Sequence, residues 1–101
     1  MSTPYIPAPL SEQLRDLARD FGTAKMVLFG SRARGDHHPR SDIDLAVWGI
    51  DSTQAGRLRL ALEELPTLLQ FDLVIVSPDT SPELLRNIQL EGVTLYAADE
   101  M

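Results

Sequence analysis

The chain has 101 residues, 44% apolar and 24% charged, with 15 acidic against 9 basic side chains and a net charge of -6. That is the balance of one ordinary globular domain over residues 1–101, and it excludes extended nucleic-acid binding, which needs clustered Lys and Arg against the phosphates. Cysteine is absent, which excludes disulfides, thiolate metal sites and a cysteine nucleophile and fits a reducing, cytoplasmic setting; no apolar run approaches the ~20 residues of a membrane span, and no signal-like leader is visible.

Residues 1–9, punctuated by prolines, read as an extended lead-in. Leu10, Leu14, Leu17, Ala18 and Phe21 then recur at helical spacing, with Ser11 as the expected N-cap and Gly22 as the stop. Met26 to Phe29 is a short apolar run ended by Gly30, the pattern of a strand buried on both faces. From Ser31 to Ser41 the chain is polar and broken by Gly35 and Pro39, which predicts at most one helical turn and a loop. Asp42 to Trp48 alternates as a strand, with Ile43, Leu45 and Val47 on one face and Asp42, Asp44, Ala46 and Trp48 on the other. Leu58, Ala61, Leu62, Leu65 and Leu69 mark a helix that Pro66 ends or kinks, and Phe71 to Val76 is a third strand. Ser81-Pro82-Glu83 opens a further helix, Gly92 closes it, and Val93 to Ala97 forms a last strand. The expected fold is therefore α/β (α+β), a mixed sheet of about four strands flanked by three to four helices.

Charge is unevenly spread. Lys25, Arg32, Arg34 and Arg40 are four of the nine basic residues and lie within positions 25 to 40, with His37 and His38 beside them. A local excess of this kind suits a small anion such as a nucleoside triphosphate. Gly30 at a strand end lets backbone approach a ligand closely, and Ser31 at a helix start can hold phosphate oxygens. Asp42 and Asp44, two apart on a strand, project from one face with attachment points about 6–7 Å apart. Carboxylates so placed can share a pair of Mg²⁺ ions, which stabilise the attacking and leaving oxygens of an in-line displacement at phosphorus. Asp72 joins them if its strand lies next to theirs. A structural account of Asp44 would have to pair it with a cation, Arg32 or Arg40. Tandem histidines in a polar loop point apart and are discounted as ligands.

Gly30-Ser31, ten residues, then Asp42-x-Asp44 resembles the signature of the DNA polymerase beta-like nucleotidyltransferase superfamily, and more narrowly its minimal nucleotidyltransferase (MNT) group. The likeness extends to Phe29, Arg32, Arg34, Asp72 in "FDLVIV" and the closing "RNIQLEGVTLY", so it covers about Lys25 to Ala97. The resemblance implies that Asp42 and Asp44 ligate the catalytic metal, two Mg²⁺ ions in all, and that Asp72 completes the site and helps activate the acceptor hydroxyl. Gly30 and Ser31, with Arg32 and Arg34, would hold the triphosphate. It further implies transfer of AMP from ATP to a hydroxyl of a HEPN-type ribonuclease toxin, with this chain as the antitoxin. Two other readings stand beside it: transfer to a small-molecule hydroxyl bound by a separate subunit, and a masking module with no chemistry. A domain of this size carries little beyond one core, so the acceptor must be gripped partly by another chain.

Overall fold

The structure is a computed structural model and describes residues 6–98; the first five residues of the expected lead-in lie outside it. Helix α1 (Ala8–Asp20) starts earlier than its periodicity suggested, because Pro7 serves as N-cap and Pro9 occupies the first turn, where a missing N–H costs nothing. Ile6 is already part of the core. Ser11 does not cap: it sits buried inside the first turn and its Oγ donates to the Ala8 carbonyl at 3.0 Å. Gly22 follows the helix with φ 71° and stops it as expected.

The remaining elements are β1 (Lys25–Phe29), a single turn α2 (Ser31–Arg34), β2 (Ile43–Trp48), α3 (Ser52–Glu63), β3 (Phe71–Ile75), α4 (Pro82–Glu91) and β4 (Val93–Ala97). Helix α3 ends at Glu63, ahead of Pro66, as that proline led one to expect. It begins under an Asp51 cap that accepts from Gln54 N–H at 2.8 Å, and Pro66 disfavours helical backbone at Leu65 before it. Leu65 and Leu69 therefore sit outside the helix, yet both still pack on the core. Ser81 caps α4 as its sequence promised, accepting from Leu84 N–H at 3.2 Å.

The sheet runs β3-β2-β1-β4. β1 pairs antiparallel with both β2 and β4, whereas β2 and β3 are parallel and α3 supplies the crossover. Strand alternation sorts the apolar side chains onto two faces. One carries Met26, Leu28, Ile43, Leu45, Val47, Leu73 and Leu95, against Leu10, Leu14 and Ala18 of α1 and Leu58 and Leu62 of α3. Each buried aliphatic side chain contributes about 1.5–3 kcal/mol, so this larger face dominates stability. The other face is a smaller cluster of Val27, Phe29 and Ala46 under Ile88, with α4 lying on β1. Toward β3 that second face carries Asp44, half-buried, and Asp72, exposed. None of the described helices is long and apolar enough to cross a membrane.

Candidate active site

Asp44 lies in the middle of a cross-strand row. It is in register with Phe29 of β1 on one side and Asp72 of β3 on the other. Residues in direct register share a face, and neighbouring strands lie about 4.8 Å apart, so the two carboxylates leave the sheet side by side. Asp42 stands immediately before β2, two residues from Asp44, near enough for its charge to act on the Asp44 carboxyl. Asp72 also borders a cleft between α3 and β3 that Arg59, Leu68 and Phe71 help to line.

Gly30 ends β1 with φ 77° and ψ -157°, a backbone region open in practice to glycine alone. The space a Cβ would fill is taken by the Asp44 carboxylate. Immediately afterwards the chain enters α2, whose Ala33 and Arg34 N–H groups both bond the Gly30 carbonyl at 3.1 Å. The N–H groups of Ser31 and Arg32 precede that ladder and lie outside it, as at any helix start. Gly30, Ser31 and Asp44 thus come together at one corner of the sheet.

Arg34 joins them from the end of α2. Its Nη1 donates to Glu91 Oε1 at 3.1 Å and Oε2 at 2.9 Å, and its Nε donates to Asp36 at 3.2 Å. Glu91 Oε1 also accepts the Gly30 N–H at 3.3 Å. Glu91 was not among the residues the sequence singled out. One signal was available: a carboxylate in the last turn of a helix opposes the macrodipole and calls for another reason to be there.

Arg32 is turned inward. It is 4% exposed, with Nε donating to the Ser41 carbonyl at 3.1 Å and Nη2 to those of Pro39 and His38 at 3.1 and 3.5 Å. It braces the loop that delivers Asp42, since a planar guanidinium can satisfy several carbonyls at once. His38 and Ser41 close that loop on each other, Ser41 N–H bonding the His38 carbonyl at 3.0 Å and His38 N–H bonding Ser41 Oγ at 2.7 Å.

The electrostatics follow from this crowding. The Asp44 carboxyl is pushed above its ordinary range by burial first, then by the charges of Asp72 and Asp42; Arg34 pulls it back, and Glu91 adds to the rise. Arg34 is engaged by Asp36 and Glu91 instead, Arg32 by the loop, and Arg40 is exposed. Among the described residues Asp44 makes no ion pair. Nor do any three His, Cys, Asp or Glu side chains among them converge into a ready-made metal cage. The donor set nonetheless suits a hard divalent cation: carboxylate oxygens on one face, mutually repelling, with Asp44 lacking a paired cation.

An acidic sheet corner beside a glycine turn, with an arginine at its rim, is the arrangement of a nucleotidyltransferase. The chain belongs to the polymerase beta nucleotidyltransferase family, whose model matches residues 12–101. No curated protein matches the sequence, but solved structures do. A toxin–antitoxin complex crystallised with AMP-PNP contains a chain 27% identical to this one (TM-score 0.66), the match covering 89% of this chain and 75% of that one. A complex of a tri-AMPylated Shewanella oneidensis HEPN toxin with an MNT antitoxin matches at 25% identity and TM-score 0.58, over 86% and 69% of the two chains. A structure provisionally named a minimal nucleotidyltransferase matches at 31% identity and TM-score 0.66, over 84% and 88%. The nucleotidyltransferase fold and its likeness to MNT antitoxins are therefore plain.

Proposed function

We propose that the chain moves AMP from ATP onto a hydroxyl of a HEPN-type toxin in the cytoplasm and so acts as its antitoxin. The observation that carries this reading is Asp44: a half-buried carboxylate, in register with a second and two residues from a third, that makes no ion pair among the described residues. Such a group costs stability unless something positive joins it. Asp42 and Asp44 would hold Mg²⁺, with Asp72 completing the set. When bound, Mg²⁺ supplies charge stabilisation at the α-phosphate and the departing oxygens.

The chain's own residues do the rest. Gly30 lets the backbone come close to the triphosphate, Ser31 binds it through its backbone N–H and hydroxyl, and Arg34 meets it at the rim. Asp72, exposed beside Asp44, takes the proton of the acceptor hydroxyl. The acceptor oxygen bonds to the α-phosphorus, the bond to the β-phosphate oxygen breaks, and pyrophosphate leaves. The acceptor itself comes from a second chain, as the AMPylated toxin in the related complex illustrates.

Thermal melting tests the assembled site. Millimolar Mg²⁺ with a non-hydrolysable ATP analogue should raise the melting temperature, because ligand at a hundredfold excess over Kd stabilises by about 2.7 kcal/mol. The same analogue in EDTA should do markedly less. An unchanged melting temperature under both conditions would contradict a site for metal and nucleotide.

A further inference from the structure

Glu91 is the last residue of α4, where the helix carbonyls make the potential negative and a carboxylate is disfavoured. Nothing in helix formation asks for it. Its charge also adds to the acidic field that holds the Asp44 carboxyl up. A neutral side chain would pack there without either penalty, so the charge needs a separate cause.

Its contacts supply one. Glu91 Oε1 accepts the backbone N–H of Gly30, 61 residues away, at 3.3 Å. The two carboxylate oxygens together receive Arg34 Nη1 at 3.1 and 2.9 Å. One side chain thus fixes both the peptide that leads into α2 and the guanidinium that ends it. The origin of the side chain is fixed as well. Gly92 N–H bonds the Ile88 carbonyl at 2.8 Å, and a Cβ on Gly92 would collide with that carbonyl and with Val27. The end of α4 is therefore pressed onto β1. Asp36 steadies the guanidinium from its Nε edge at 3.2 Å. Among the described residues no hydrogen bond engages Arg34 Nη2, and the Arg34 side chain is 46% exposed against 22% for Glu91.

We propose that Glu91 is a positioning residue for nucleotidyl transfer, locking the Gly30 peptide and the Arg34 guanidinium into one rigid rim beside Asp44. The inference rests on the transfer reading above and deepens it. Glu91 touches no substrate. It holds the groups that do: Oε1 accepts from both and Oε2 from Arg34 alone, so Gln would put an N–H₂ donor against the guanidinium where the closer of its two bonds now lies, and would lose the charge that pairs with it.

The experiment compares Glu91→Gln, Arg34→Ala and the double variant Arg34→Ala/Glu91→Gln with the parent, using labelled ATP, Mg²⁺ and the toxin acceptor, at a temperature where circular dichroism shows each folded. Glu91→Gln should raise KM for ATP and lower kcat/KM by roughly 10–100-fold, since a small misplacement of a binding group costs that much. The loss in the double variant should fall well short of the product of the single losses, because Glu91 acts partly through Arg34. A merely structural role would instead leave KM unchanged and lower activity only with the folded fraction. Parental KM and kcat in folded Glu91→Gln, or losses that multiply, would overturn the proposal. If the Gln variant fails to fold, Glu91→Asp carries the same expectation, since it keeps the charge but shortens the reach. A parent that transfers nothing overturns the transfer reading along with this one, whereas a parent that transfers beside an unimpaired Gln variant overturns this one alone.

Discussion

Replacing Asp42 and Asp44 together by Asn should cut nucleotide transfer by three or more orders of magnitude, about 4 kcal/mol of transition-state stabilisation, while the fold persists. Asn keeps the shape and one ligating oxygen of each side chain but removes both charges, so the pull on a divalent cation collapses. The structure gives little reason for unfolding. Asp42 is exposed, Asp44 is half-buried, and neither makes an ion pair among the described residues. Removing the charges also relieves the repulsion that Asp72 and Asp42 exert on Asp44, so the melting temperature in EDTA should not fall. Label transfer to the toxin and a melting curve read the two halves of this expectation. A variant that transfers nothing yet neutralises the toxin as well as the parent would point to masking. Undiminished transfer would mean that the chemistry happens elsewhere.

Gly30→Ala should be nearly as damaging, by a different route. Its φ of 77° with ψ of -157° costs an alanine about 1–3 kcal/mol in strain. The new Cβ would also run into the Asp44 carboxylate, so the backbone of the proposed phosphate cradle and the proposed metal-holding side chain cannot both stay in place. A fall of about 100-fold or more in kcat/KM is expected. Gly22→Ala is the matched control: φ is 71°, yet nothing lies within 4 Å of the added atom. It should cost stability through strain alone and leave transfer per folded molecule intact. Equal loss of activity in both variants would show that strain, and not the contact with Asp44, is responsible.

Much of this architecture was legible in the sequence because it depends on period and punctuation. Alternation within β2 is enough to put Asp44 on the face opposite Ile43, Leu45 and Val47, and the apolar run from Met26 to Phe29 marks β1 as buried on both faces. Whether Asp72 joins Asp44 depended on β3 lying beside β2, a pairing that no local pattern encodes; the parallel register of Asp44 with Asp72 supplies it. The burial of Arg32 was not legible. A cation in a polar segment reads as a ligand contact, and only the folding back of the loop through Ser41 shows that its guanidinium is consumed by backbone carbonyls. Glu91 was missed because its partners, Gly30 and Arg34, are distant in the chain and meet it only once α4 docks on β1. The start of α1 shifted because prolines act on backbone that hydrophobic spacing does not report: Pro7 and Pro9 extend it forward, whereas Pro66 was readable as the end of α3 and leaves Leu65 and Leu69 to pack from outside it.

The measurement closest to the central claim is a paired labelling reaction: the purified chain, Mg²⁺ and the HEPN toxin, with ATP labelled at the α-phosphate in one tube and at the γ-phosphate in the other. Transfer of AMP predicts α-label on the toxin, γ-label in released pyrophosphate, and loss of both in EDTA. Label from the γ-phosphate on the toxin, or a neutralised toxin carrying neither label, would contradict it.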